Sequence, residues 1–380
     1  MAGQMRRRNL LATSAAILGA AACGPFRGED EPDIVRTIPE AQVNPWGANA
    51  FLHKEVETWK KEKTLEMARD AGIVWIKQQF PWREIEQSQK GDFFDRTWQK
   101  PTWQKFDEIV DLAEQFGIKL IVRIDRSPLW ARADGQPSEA PPANFADFGD
   151  FLAELADHYK GRISHYQLWN EPNLAHEWGR PPDPKGYVDL LRTGYQRIKE
   201  VDSSIKVLTA PLAITLERSP RAMVELDYLE EMYQHGAADY FDIMSANAYG
   251  LEFPPTALPD PNVLNFRRVE LLREIMVRNG DEGKAVWFNE YGWNASPPDM
   301  ADEKLIWRRV EEEEQAAWTV EGVKYGRSNW PWAGVFCIWY LRQVGDIPPT
   351  SSEYYFRMVD PEFTPRLVYN EVKDNSKKIK

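Results

Sequence analysis

Eight short runs of apolar and β-branched residues, at 48–51, 73–80, 119–124, 163–169, 206–210, 241–246, 285–289 and 334–340, constrain this 380-residue chain more than any other feature. Between them lie longer stretches with apolar residues at helical spacing, such as 106–116, 145–159, 187–201, 269–279 and 311–325. Strands separated by helices pair in parallel, because a parallel neighbour needs a crossover whereas an antiparallel one is reached by a hairpin. Glycines close to the next run, in Phe116-Gly117 and Ala71-Gly72, supply the residue on which helices stop. Eight such units predict an α/β chain folded as a (β/α)8 (TIM) barrel with enlarged loops at its C-terminal face. The competing doubly wound sheet finds no G-x-G-x-x-G after the first run and no G-x-x-x-x-G-K-[ST] anywhere.

Prolines gather at 138–144, 179–184, 252–261 and 346–351, each a short distance beyond a run. In a barrel those positions lie on the face that carries active sites, so the segments read as stiff loops framing a cleft. The acidic run 311–314 reads as a helix start favoured by the helix dipole.

The first residues follow a different logic. Arg6, Arg7 and Arg8 precede a short apolar stretch that ends in Ala21-Ala22-Cys23-Gly24. That is the build of an export signal, and its apolar part is shorter than the roughly 20 residues a membrane span needs. Arg7-Arg8 resembles a twin-arginine signal, and Ala-Ala-Cys-Gly resembles a bacterial lipobox. The resemblance implies lipidation at Cys23 and an exported protein held by its lipid at the cell surface or in the periplasm. Residues 1–23 are then the signal, 24–42 a charged, proline-bearing tether, and 43–380 the barrel. Cys337 is the one other cysteine and reads as a small core residue.

Two acids stand apart from the other Asp and Glu residues, most of which fall on helical stretches. Glu171 follows the fourth run after Asn170, and Glu290 follows the apolar part of the seventh after Asn289. A carboxylate at the end of an apolar strand is costly unless it is solvated, paired or used. Two of them across one cleft are the minimum for cleaving a glycosidic bond: one protonates the leaving oxygen while the other attacks the anomeric carbon or activates water. Tyr249, just beyond the sixth run, could donate to one of them and keep it ionised. Trp339, near the end of the eighth, offers a flat face to a sugar ring. Trp82, Trp130, Trp178 and Trp293 also fall just past strand ends, and as a group they favour stacking on sugars. Arg123, Asp125 and Arg126 are placed either to face the cleft or to pair with one another.

Asn170-Glu171-Pro172 after one strand, Asn289-Glu290-Tyr291-Gly292 after a later one and a closing Trp339 resemble glycoside hydrolase clan A, in particular its families 5 and 39. The resemblance covers residues 43 to 370. It implies a retaining β-glycosidase with Glu171 as acid/base and Glu290 as nucleophile. Asn170 would bind the sugar 2-hydroxyl, Tyr249 would donate to the nucleophile, and Trp339 would lie under the sugar at the bond to be cut. Lys77 stands near the position where the clan often carries Arg, and Asn247 where many members carry His; both are expected to line the substrate site.

A net charge of −12 argues against nucleic acid and anionic lipid as partners. The expected partner is a carbohydrate, with membrane contact through the lipid alone and the protein a monomer. Five scattered histidines, His176 beside Glu177 among them, make no zinc motif, and no cofactor is expected. The alternatives are a surface lipoprotein that binds glycans without turnover, and a transglycosylase that passes the sugar to another hydroxyl.

Overall fold

The computed structural model describes residues 37–345 and 347–379. The export signal, Cys23 and the tether up to residue 36 lie outside the described residues. Strands β1 (Trp46–Ala50), β2 (Trp75–Pro81), β5 (Lys119–Asp125), β6 (His165–Leu168), β7 (Lys206–Leu208), β8 (Ile243–Tyr249), β9 (Ala285–Gly292) and β10 (Ala333–Ile338) close into one parallel barrel in the order β1-β10-β9-β8-β7-β6-β5-β2. The two strands left over, β3 (Phe94–Asp95) and β4 (Lys100–Pro101), form a small antiparallel hairpin in the excursion after β2.

Helices fall where the apolar spacing puts them: Gln104–Phe116, Phe145–His158, Pro184–Val201, Val269–Arg278 and Glu312–Asn329. Gly117 ends the first of these in the left-handed conformation, and Asn144 caps the second by accepting from the Ala146 amide. The acidic run opens the last with reciprocal Glu311 and Glu314 capping hydrogen bonds.

Along each barrel strand every second side chain enters the lumen, and the lumen changes character as the strands rise. Its floor is apolar: Trp75, Ile121, Leu208, Ile243, Trp287, Val335 and Cys337 pack together, with the Trp75 and Trp287 rings 4.9 Å apart and His165 stacked on Trp287 at 4.8 Å. Gly334 makes this packing possible, since a Cβ there would lie 2.2 Å from Trp287 Nε1 and 2.6 Å from the Glu40 carbonyl. The indole N–H donates to that carbonyl at 2.8 Å.

This floor corrects the tether's boundary. Residues 37–42 are part of the barrel: Ala41 is fully buried in the floor cluster, and the Glu40 side chain meets His165 at 3.4 Å. Their polar, proline-bearing composition hid one buried alanine and a carbonyl that plugs the barrel from below.

Above the floor the lumen becomes polar. Asn49 donates to the Asn289 carbonyl at 3.0 Å, Asn289 donates to Gln167 at 2.5 Å, and Gln167 donates to the Trp169 carbonyl at 2.7 Å. Buried amides hydrogen-bonded to one another and to backbone carbonyls across three strands form a platform beneath the mouth.

Candidate active site

The seventh barrel strand does not stop at residue 289; β9 runs on to Gly292. Its pairing with β8 slips between Ala246 opposite Phe288 and Asn247 opposite Glu290, and its pairing with β10 slips over the same stretch. A bulge here turns two successive side chains to one face, which regular alternation forbids. Asn289 therefore reaches Gln167 inside the lumen while Glu290, the next residue, reaches Lys77 inside it too.

Glu171 reaches the same space by a different route. β6 ends at Leu168, and in the next three residues Trp169 and Glu171 take φ values of 76° and 39°. A non-glycine residue holds positive φ only where its surroundings over-determine it. Here the Trp169 amide donates to Ile124 O at 2.9 Å, the Glu171 amide to Pro211 O at 3.0 Å, and Asn173 ties Ala213 and Met223 to the turn at 2.9 Å each. Pro172 keeps Glu171 out of right-handed helical geometry, as expected, but the neighbouring backbone completes the job.

Around the two acids the partners differ in kind. Glu290 is buried and accepts from Lys77 at 2.9 Å through one oxygen, and from Tyr249 at 2.9 Å and Asn247 at 3.3 Å through the other. Lys77 is itself buried, so the pair is shielded from solvent. Tyr249 stays a neutral donor, because burial and the neighbouring Glu290 charge hold its hydroxyl far above its usual range. Glu171 accepts one hydrogen bond, from Asn247 at 2.6 Å. Burial first, then the charges of Glu290 and Glu177, push its carboxyl up to about 8. Two carboxyl groups of one residue type thus meet different surroundings: Glu290 sits among three donors, and Glu171, raised by burial, holds its proton at neutral pH.

One amide touches both acids. Asn247 Nδ2 lies 2.6 Å from Glu171 Oε1 and 3.3 Å from Glu290 Oε2, so those oxygens are no further apart than the two contacts laid end to end. Among the described residues the Oδ1 atoms of Asn247 and Asn170 accept no hydrogen bond, although both are buried. Both are therefore unpaired acceptors near the carboxyl pair.

Trp339 is partly exposed, edge-on to Phe51 at 5.7 Å, and its peptide with Tyr340 is cis. Trp307 is stacked on Tyr249 at 5.4 Å. The sequence carried no signal for Trp307, which sits in a long excursion after β9 with no periodicity. Glu177 was likewise passed over, though it adds to the charge that keeps Glu171 protonated. Arg123, Asp125 and Arg126 form an ion-pair cluster, with Arg123 on Asp125 at 2.5 Å and Arg126 on Glu177 at 3.3 Å.

Three expected stacking residues lie elsewhere. Trp82, Trp178 and Trp293 are 0 %, 0 % and 1 % exposed, so neither ring face of any of them is open to a sugar. Trp82 stacks on Phe151 under the helix Phe145–His158, Trp178 packs edge-on against Trp169, and Trp293 fills the space left by the missing Cβ of Gly250. Position past a strand end does not distinguish a residue aimed over the axis from one aimed outward beneath a helix. Trp130 belongs with them, packed on Trp82 and donating to the Glu86 carbonyl at 3.0 Å.

Paired carboxyls over the polar end of a closed eight-stranded parallel barrel define the class by its fold, a (β/α)8 barrel with two acids at its mouth. Residues 38–211 match the family model Cellulase (glycosyl hydrolase family 5). Solved structures extend the likeness over nearly the whole chain. A family 39 glycoside hydrolase from the gut symbiont Bacteroides cellulosilyticus superposes with a TM-score of 0.63 at 21% identity, over 88% of this chain and 64% of that one. The GH39 β-xylosidase from Caulobacter crescentus gives 0.63 at 16% identity over 87% and 70%, and the endo-β-1,4-mannanase from Thermotoga petrophila 0.58 at 14% over 90% and 78%. At these identities the likeness is one of fold, and the chain spans just under two thirds of the first of these proteins. No curated protein matches the sequence.

Proposed function

We propose that the protein is a retaining glycosidase that cleaves β-glycosidic bonds by double displacement. The observation that carries this reading is the single Asn247 amide in contact with both acids. An amide at 2.6 Å from one acid and 3.3 Å from the other favours the roughly 5–5.5 Å carboxyl spacing of retaining enzymes over the wider spacing of inverting ones. Glu290, held by Lys77, Tyr249 and Asn247, attacks the anomeric carbon while Glu171 gives its proton to the departing oxygen. Once the glycosyl ester has formed, Glu290 no longer repels a charge on Glu171. That residue then takes a proton from water, and the water's oxygen displaces the Glu290 carboxylate from the sugar. The open acceptor on Asn170 suits the 2-hydroxyl, and Trp339 suits the apolar face of the ring. β-Linked substrates fit best, given the β-xylosidase and β-mannanase among the proteins of like fold.

In the same reading, export and lipidation at Cys23 put the barrel outside the cytoplasm, where polysaccharide is met. The anomeric configuration of the first product tests the mechanism. Proton NMR of a β-glycoside digest is expected to show the β-anomer before mutarotation; the α-anomer appearing first would reject double displacement.

A further inference from the structure

After β9 the chain makes a long excursion, residues 293–311, before the helix Glu312–Asn329 begins. It contains the one place among the described residues where two successive non-glycine residues take positive φ, Trp307 at 62° and Arg308 at 59°. L-residues avoid this conformation and visit it singly, so a consecutive pair persists only where its surroundings over-determine it. The side chain held in place by this strained backbone is the Trp307 indole, half-buried between the exposed Ile306 and Arg308. It lies on the Tyr249 ring with the planes 16° apart, and Tyr249 donates to Glu290 at 2.9 Å. Resting on the glycosidase reading above, we propose that Trp307 is a positioning residue that acts through Tyr249, holding the phenol on the nucleophile, rather than by contact with sugar.

The strained pair is tied down on both sides, and to the strand that bears the nucleophile. Upstream, the Ile306 amide donates to Ser352 Oγ at 2.6 Å, and the Ser352 carbonyl accepts from the Asn294 side chain at 2.7 Å. Downstream, the Val310 amide donates to the Asn294 carbonyl at 2.9 Å. Asn294 follows the end of β9 by two residues, so the same short stretch of chain locates both Glu290 and the indole. Arg309 closes the excursion on itself by donating to the carbonyls of Pro297 at 3.1 Å and Met300 at 2.7 Å. Several independent hydrogen bonds thus enforce a conformation that the local backbone opposes, which is how strain is kept where a site uses it.

Tyr249 has reason to need such a support. Among the described residues its ring meets two aromatic neighbours, Phe356 at a steep 69° and Trp307 nearly parallel, so the indole is its one stacked partner. The torsion that turns a tyrosine ring is broad, and the hydroxyl sits at the far end of the side chain, where a small tilt spoils a hydrogen bond. With Trp307 in place Tyr249 is 4 % exposed, and its hydroxyl meets Glu290 rather than water. The phenol serves both halves of the reaction. It orients the carboxylate for attack, and it donates again to that carboxylate as water displaces it from the sugar. Loosening the phenol therefore costs turnover whichever half is slower, and leaves binding of the substrate almost untouched.

A double-mutant cycle between Trp307→Ala and Tyr249→Phe in the full-length protein, with kcat and KM measured on an aryl β-glycoside, tests the proposal. Trp307→Ala is expected to lower kcat roughly tenfold and to change KM by less than about twofold, while Trp307→Phe, which keeps a flat partner, should stay within about threefold of the original kcat. In the Tyr249→Phe background no hydroxyl is left to position, so Trp307→Ala should cost less than about twofold there. An equal loss in both backgrounds, or a raised KM at unchanged kcat, overturns the proposal, the latter by making Trp307 a sugar contact. A crystal structure of the Trp307→Ala protein gives a second readout that needs no substrate. The Tyr249 hydroxyl should have left hydrogen-bond distance of Glu290, and a hydroxyl that has not moved overturns the positioning role. If the unaltered protein turns over no β-glycoside, the glycosidase reading falls, and that crystal structure alone decides what Trp307 does to Tyr249.

Discussion

Replacing Glu290 by alanine is expected to lower kcat on a β-glycoside by about 10⁴-fold or more, the loss that follows when a covalent nucleophile is removed from a group acting as a unit. No neighbour can substitute for it. Glu171 holds its proton, and Asn247 and Tyr249 are donors whose role ends when the carboxylate is gone. The space vacated by the carboxylate lies beside Lys77, a buried cation left without its partner. A small anion such as formate or azide should therefore enter it and restore part of the activity, with azide giving the glycosyl azide of inverted configuration. The lost ion pair also destabilises the fold, by about 3 kcal/mol as for other buried pairs broken on one side, so thermal unfolding must accompany the kinetics. A Glu290→Ala protein that is folded and retains a tenth of the original rate contradicts the assignment.

Glu171→Gln is expected to act through the leaving group. With a sugar alcohol departing, protonation is indispensable and the rate should fall about 10³-fold or more. With dinitrophenolate departing, which needs no proton, the first step should survive and the glycosyl-enzyme should accumulate, because the same side chain is then missing as a base. The pH profile follows from the same residue. Burial and Glu290 push Glu171 up to about 8, so the unaltered enzyme should lose kcat/KM on alkyl glycosides above that pH, a limb absent from the variant.

Stability should move in the opposite direction to activity. The folded-state value for Glu171 lies above the ordinary 4.5, so its contribution is fully present below about pH 4.5 and is lost as pH rises through about 8. Glutamine carries no such dependence. The variant should consequently melt higher than the original protein at pH 8 or 9, by on the order of 2 kcal/mol, and show little difference at pH 4. An equal effect at both pH values would mean that burial of the charged form is not what perturbs Glu171.

Most of the barrel was legible because its signals are local. Each of the eight apolar runs contains or overlaps an observed strand, and helices such as Gln104–Phe116 and Val269–Arg278 begin and end within two residues of the predicted spans. The helices Thr58–Asp70 and Glu225–Gln234 were not predicted, since each buries only a few side chains among charged neighbours. The two acids were legible for a reason of energy: a carboxyl at the end of an apolar strand needs a purpose. How Glu290 enters the lumen was not, because a β-bulge depends on pairing with β8 and β10 and leaves no mark on β9 alone. Direction of side chains was the other loss. Trp82, Trp178, Trp293 and Trp339 all follow strand ends, yet the first three are buried and Trp339 is partly exposed. Trp98, which is strongly exposed, and Trp307, which stacks on Tyr249, sit in excursions where no periodicity exists to read.

The central claim is that Glu290 becomes covalently bound to sugar while Glu171 serves it as acid and then as base. Intact-protein mass spectrometry after incubation with activated 2-deoxy-2-fluoro-β-glycosides reads this directly, because the fluorine slows the second step and traps the intermediate. For the sugar the enzyme turns over, the account predicts a single adduct, located on the peptide containing Glu290 and absent from the Glu290→Ala protein. An adduct on Glu171 instead, or turnover of that sugar with no adduct and an α-configured product, would contradict it.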